Sequence, residues 1–554
     1  MSDPIVDHDA PTVCEVRSSK WPHIAAALLL IAYGGLLAQR FHPAIATPDA
    51  NGYWAQGRLL ADTGQTWFKP ESPLRFIGMH WLVMDEERYA SRYPPGLPVL
   101  IAAVCKVFGA DASMLLNPLF ALASLAGVYF ILVRLLSPTA GLTGMLALIC
   151  MPRFAHHAEA CDSHMAVTVL LVWGIYLLLR WRDSGRLWQL YLAGALLGAI
   201  PTVRYPEGLF ALGIGLFLLA HCRRHGKPAL QIGVATAGAF TPVLPLLIRN
   251  HLLFGGFWRT GYTLTNEQTG FGWEYFQAYA VQYLKHLSGS GAGLFWALGI
   301  VGIALLCCQR GQRPLGGLLA LIVLPTTLLY MSYYWAPDNA SATLRFLLPT
   351  FAIYAIAGVW MLWRLLEFQS PATRGIVVGS ILLVHAGWGI VPLLQESREL
   401  AHKRQALSMI TNAVRSHANE GDVILSHGII LQQLDSAGNW RLADADLAAG
   451  GAPGGRPPHP GGDPDAPSPM QAEKNTAAAQ HYEGLSGAER DMMIAFDLDS
   501  YADKGKVFYV GPENQLRAFA GRDLHWQDFE ILATLTLPKA PPSASSNRRG
   551  GMGG

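Results

Sequence analysis

Charge is scarce in this chain. Of 554 residues only 14% are charged, and the formal net charge is +2. No dense Lys/Arg run with interleaved aromatics occurs, so nothing points to nucleic acid. Cysteine is also sparse, at seven residues, with no CxxC and no metal-type spacing, and the cysteines mostly lie in or beside apolar runs, where they read as packing residues. The polar stretch 47–98 and everything after residue 394 hold none, so no disulfide framework identifies a compartment. The histidine-rich stretch 152–166 holds no HExxH or HxxxH pattern.

What the chain has instead is hydrophobic length. Apolar residues make up 51% and mean hydropathy is +0.26, outside the usual range of soluble domains. Runs near bilayer length begin near Trp21, Ser113, Thr139, His164, Leu187, Gly208, Pro228, Gly291, Pro314, Leu344 and Gly375. That gives an α-helical polytopic membrane protein with about eleven transmembrane helices. Residues 1–20 are polar and acidic, and the run that follows lacks a small-residue cleavage site, so it reads as a retained anchor.

Orientation follows from basic residues. The loops 180–186, 221–227, 309–313 and 364–374 are the richest in Lys and Arg and should share the cytoplasmic side. With eleven spans and the N-terminus inside they do. The short apolar piece 96–110, which carries Lys106, then lies along the outer face rather than crossing. The outward parts become 41–112, 152–163, the turn at 204–207, 249–290, 333–343 and everything after about Pro392.

The expected domains are a cytoplasmic tail 1–20, a membrane domain 21–394, an outward α/β domain 395–538 with a disordered Gly/Pro-rich insertion at 449–470, and a loose tail 539–554. In the α/β domain the expectation is a helix over RELAHKRQALSMITNAVRSHA, then extended segments at DVILSHGIIL, KVFYVGP and FEILATLTLP.

Candidate chemistry gathers on the outward side. Asp49 opens a helical pattern in the first loop, where it could be a plain N-cap worth about 1 kcal/mol, or a base or metal ligand. PRFAHHAEACDSHMA clusters His156, His157, Glu159, Asp162 and His164. Asp162 and Ser163 could cap the next span, or Asp162 and His164 could hold a divalent cation. Arg204 and Arg345 sit at outer span ends, where they either snorkel to headgroups or bind an anion such as a lipid phosphate. Asn339-Ala340-Ser341 fits the N-glycosylation pattern, a match expected by chance in a chain this long.

The order of these elements resembles the GT-C superfamily of membrane glycosyltransferases, which includes the protein O-mannosyltransferases and the aminoarabinose transferases of lipid A. The likeness rests on Asp49, Tyr53 and Gly57 in D-x-x-x-Y-x-x-x-G, on Arg92-Tyr93-Pro94-Pro95-Gly96, on Asp162-Ser163, on Arg204-Tyr205-Pro206 and on Arg345-Phe346-Leu347-Leu348-Pro349. It spans roughly residues 20–395 and implies sugar transfer from a polyprenyl-phosphate donor to a hydroxyl, amine or lipid acceptor at the outer face. Under it Asp49 is the catalytic base and Asp162 orients the acceptor or helps hold a metal. Arg204, Arg345 and Arg92 neutralise the leaving phosphate, and Tyr53, Tyr205 and Glu207 position substrate. Unlike many relatives, this chain has Tyr93 rather than a basic residue directly before the Pro-Pro element. A secondary transporter or lipid flippase, or an inactive relative, are the competing readings. Against the first, no internal repeat is visible and the polar candidates lie on one side.

Overall fold

The computed structural model describes residues 20–45, 47–84, 88–335, 339–419, 421–445, 481–482, 484–503, 505–511 and 529–533. Residues 1–19 of the expected N-terminal tail 1–20, the insertion 449–470 and the tail 539–554 lie outside them.

The described residues are mostly helical, as the apolar runs require. Among the described residues seven helices are long and apolar enough to cross a membrane. The bent pair Trp273–Gly291 and Leu294–Cys308, at 112° to each other, raises this to eight if it counts as one span. The runs expected to cross at 139, 187 and 208 form the shorter helices Pro138–Ile149, Leu187–Val203 and Pro206–His221. Burial ranks the helices: 94% of the apolar window of Ala342–Leu365 is buried, against 17% for Pro228–Phe254 and for Pro371–His417. The first is the central post and the latter two lie on the outside, where apolar side chains suit lipid.

Helix Pro371–His417 runs unbroken for 47 residues through the expected boundary at 394–395, carrying Pro392 within it. The composition changes there, but the backbone does not. Buried Arg404 pins this helix to the bundle, donating from Nε to Ala44 O at 3.1 Å and from Nη2 to His42 O at 2.6 Å. Arg153, also buried, pairs with Glu396 on the same helix.

The first polar loop folds on itself. Helix Pro48–Thr63 packs on helix Gly96–Phe108, and Gly57 makes this possible, because a Cβ there would lie 2.4 Å from Ile101 Cγ2. Between them β1 (Trp67–Phe68), β2 (Trp81–Val83) and β3 (Tyr89–Ser91) form an antiparallel sheet in the order β1-β3-β2. The β2–β3 register pairs Trp81 with Ser91, and Arg92 N donates to His80 O at 2.9 Å. His80 and Arg92-Tyr93 therefore emerge side by side.

After the long helix comes a parallel sheet of β4 (Val423–Ser426), β5 (Arg441–Asp444), β6 (Val507–Val510) and β7 (Phe529–Ala533), in the order β5-β4-β6-β7. The segment DVILSHGIIL is extended only as far as β4, because Gly428–Ala437 is a helix. A short apolar run fits either period, and here the helix wins by burying Ile430, Leu431 and Leu434. The first loop extends the sheet: Phe76 N donates to Leu442 O at 2.8 Å and Asp444 N donates to Leu74 O at 3.1 Å. Helix Gly428–Ala437 packs on Pro48–Thr63, with Asn51 and Arg58 both bonded to Asp435. The first loop and the C-terminal part thus share one end of the bundle.

Candidate active site

At that end lies a cavity of about 460 Å³ lined by Asp49, Tyr53, Arg92, Asp162, His164, Arg204, Tyr205 and Arg345. Its size falls within the range of small-molecule sites. Glu207, the remaining candidate read from the sequence, is buried behind Arg204.

Thr47 takes the cap position of helix Pro48–Thr63, so Asp49 is not its N-cap but lies within its first turn. The Asp49 carboxylate turns to other partners. Oδ2 is 2.5 Å from Arg345 Nη1, and Oδ1 is 2.9 Å from His80 Nε2 and accepts from the Tyr93 hydroxyl at 3.0 Å. Burial alone would raise the Asp49 carboxyl, but the Arg345 guanidinium and the His80 bond outweigh it and hold the group well below the usual carboxylate range. Burial and the nearby Asp49 charge push the Tyr93 phenol well up, so it acts as a neutral donor. Tyr53 stacks on Tyr93, ring centroids 4.4 Å apart and nearly parallel, which braces the pair.

Each arginine of the cavity meets a carboxylate. Arg345 has Asp49, and its guanidinium lies over the Phe346 ring at 4.8 Å. Arg92 Nη1 is 3.1 Å from Glu267 Oε2, while Glu267 Oε1 accepts from Tyr333. A Cβ on Gly261 would lie 2.3 Å from Arg92 Cα, so only glycine lets the loop carrying Glu267 come this close. Arg204 does not snorkel. It is 6% exposed and donates from Nε to Glu207 Oε1 at 2.7 Å, from Nη1 to Ser163 Oγ at 3.3 Å and from Nη2 to the Tyr330 hydroxyl at 3.1 Å. Most of its donors are spent on protein, so of the three Arg345 is best placed to exchange a carboxylate for a ligand anion. Its side chain is 17% exposed and faces the cavity.

Asp162 uses Oδ2 to accept from His157 Nδ1 at 2.5 Å and Oδ1 to accept from the backbone N–H of His164 at 2.9 Å. Ser163 holds the cap position of helix His164–Ser184 without a side-chain bond, and Asp162, just before it, meets the first backbone N–H of the helix and orients His157. Among the described residues no group of three or more His, Cys, Asp or Glu is arranged to hold a metal ion. His164 Nε2 faces Arg204 Nη1 at 3.5 Å, a cationic neighbour that disfavours a second cation. Asp162 and His164, expected as metal ligands, are not joined by a third such residue among the described residues.

The sequence reading missed His80 and Glu267, single residues in polar segments with no spacing to mark them. It also missed the hydroxyls of Tyr330 and Tyr333, which sit in and just after an apolar run. Asn339 caps helix Ala340–Leu344, accepting from Ala342 N at 3.0 Å, and lines the cavity.

Comparison with solved structures shows that this helix bundle, with an acid and arginines gathered at one end, has the GT-C fold. ArnT of Cupriavidus metallidurans bound to undecaprenyl phosphate superposes with a TM-score of 0.53 at 12% identity, over 77% of this chain and 86% of that one. Its apo state gives 0.52 at 12% identity, over 76% and 86%. The oligosaccharyltransferase of Archaeoglobus fulgidus gives 0.48 at 12% identity, over 76% and 64%. Residues 92–248 match the family model of dolichyl-phosphate-mannose-protein mannosyltransferases. The chain shares the fold of the two ArnT structures. No curated protein matches the sequence significantly.

Proposed function

We propose that the protein transfers a sugar from a polyprenyl-phosphate donor to an acceptor in this cavity, at the outer face of the membrane. The observation that carries the reading is the Asp49–Arg345 pair, a base and a phosphate-binding cation held on one wall. A lipid-linked donor stays in the bilayer while its sugar reaches water, which suits a site at one end of a helix bundle. The concentration of Lys and Arg in the loops of the other end supports the outward assignment. The undecaprenyl phosphate named for the ArnT structure supports a polyprenyl-phosphate donor.

The acceptor oxygen attacks the anomeric carbon, the bond from that carbon to the phosphate oxygen breaks, and the acceptor proton passes to Asp49. The leaving phosphate gains charge as this happens, and Arg345, with Arg92 near it, stabilises that charge. In the free protein Asp49 is a weak base because Arg345 holds it ionised. A donor phosphate that draws Arg345 away raises the basicity of Asp49 when the acceptor needs it. Tyr93 and His80 keep the carboxylate in place meanwhile. The test is release of polyprenyl phosphate from polyprenyl-phosphate sugars by the purified protein. A folded protein that releases none from any donor contradicts the reading.

A further inference from the structure

Two histidines of the cavity wall are unused by this chemistry. His157 lies in helix Pro152–Glu159 and His164 opens helix His164–Ser184. Each is 3% exposed, both line the cavity, and their ring centroids are 5.9 Å apart.

Their partners fix their protons. His157 Nδ1 meets Asp162 Oδ2, and since a carboxylate only accepts, Nδ1 carries the proton, which in the neutral ring leaves Nε2 its lone pair. His164 is reversed. Its Nε2 faces Arg204 Nη1, and since a guanidinium only donates, Nε2 accepts and Nδ1 carries the proton. His157 Nε2 and His164 Nδ1 are both buried with no hydrogen-bond partner among the described residues. One buried acceptor and one buried donor are thus left unmet in neighbouring side chains, and burial makes each costly until a partner arrives.

A hydroxyl is the group that gives and takes at one atom, and two hydrogen bonds of about 2.8 Å each suit rings this close. We propose that His157 and His164 form a subsite for one hydroxyl group, which donates to His157 Nε2 and accepts from His164 Nδ1–H. A phosphate does not suit it, because the His157 lone pair, with Asp162 behind it, repels an anion. Asp162 is a positioning residue that sets the His157 tautomer. The proposal rests on the glycosyl-transfer reading, and the hydroxyl comes from the donor sugar or from the acceptor.

Purified full-length protein is titrated with undecaprenyl phosphate and with undecaprenyl-phosphate mannose and glucose, and transfer is assayed with alkyl glycosides as acceptors. The variants are His157→Phe and His164→Phe, with His157→Gln and His164→Asn as isosteres that restore an acceptor and a donor. If the hydroxyl is the donor's, the Phe variants weaken the sugar-bearing lipid by about 3- to 10-fold and leave undecaprenyl phosphate unchanged, and the isosteres recover most of the loss. If it is the acceptor's, both lipids bind as in wild type and KM for the alkyl glycoside rises by the same factor. Phe variants that match wild type in both arms, or that weaken undecaprenyl phosphate equally, overturn the subsite alone. Wild-type protein that binds neither lipid overturns the glycosyl-transfer reading, and the subsite with it.

Discussion

The carboxylate of Asp49 and the guanidinium of Arg345 meet at 2.5 Å, one from the first turn of helix Pro48–Thr63 and the other from the 3-10 turn Arg345–Leu347. Each restrains the other. Arg345 keeps Asp49 ionised, and Asp49 neutralises the cation that a phosphate would seek.

Removing the acid should therefore separate two readouts. Asp49→Asn is expected to lower transfer by about 100-fold or more, since the base is gone. The same change leaves Arg345 without its carboxylate, so affinity for undecaprenyl phosphate should rise several-fold, about 3-fold or more. Lipid binding by the purified variant beside its turnover checks both.

Arg345→Ala is expected to weaken undecaprenyl phosphate by about 10- to 100-fold, the worth of a charge-assisted hydrogen bond. Glu267→Gln, which lifts the restraint on Arg92 instead, should strengthen binding if Arg92 shares the phosphate. Affinities measured at fixed salt decide.

Stability should depend on pH through Asp49. Its folded pKa is depressed below the ordinary 3.8, so the contribution is fully present above that value and is lost as pH falls through the folded pKa. Wild type should melt above Asp49→Asn at pH 7, and the difference should shrink below about pH 4. Melting curves of both proteins in detergent across that window measure it.

Glu207→Ala strands Arg204, whose side chain is 7% exposed, without its carboxylate. The expected loss is about 3–5 kcal/mol, with Glu207→Gln milder because the amide oxygen still accepts. Denaturant unfolding in mixed micelles reports it.

The C-terminal part should matter to catalysis through a mechanical route. Asp435 accepts from Asn51 Nδ2 at 2.8 Å and from Arg58 Nη2 at 3.4 Å, both on the helix that carries Asp49. Asp435→Ala is expected to cost about 1–3 kcal/mol of stability and to lower kcat more than it weakens lipid phosphate.

Asp49, Asp162, Arg204 and Arg345 were legible because a charge at a span end needs a reason, and all of them line one cavity. Their pairing was not legible. That Arg345 serves Asp49 depends on how segments far apart in sequence pack, whereas Arg204 is bound up with Glu207, three residues further on. His80 became visible only through the β2–β3 register, and Glu267 only through the close approach at Gly261. The sequence marks where apolar composition ends near residue 395, but a helix crosses that point because exposed polar residues continue a backbone as readily as apolar ones do. The helix Gly428–Ala437 was hidden for the opposite reason, a run too short to show its period.

The most direct measurement is release of undecaprenyl phosphate from undecaprenyl-phosphate sugars by wild type and by Asp49→Asn, side by side. Release by wild type that Asp49→Asn loses, while it still binds the lipid, is the expected result. Equal release by the two proteins would contradict the role given to the Asp49–Arg345 pair.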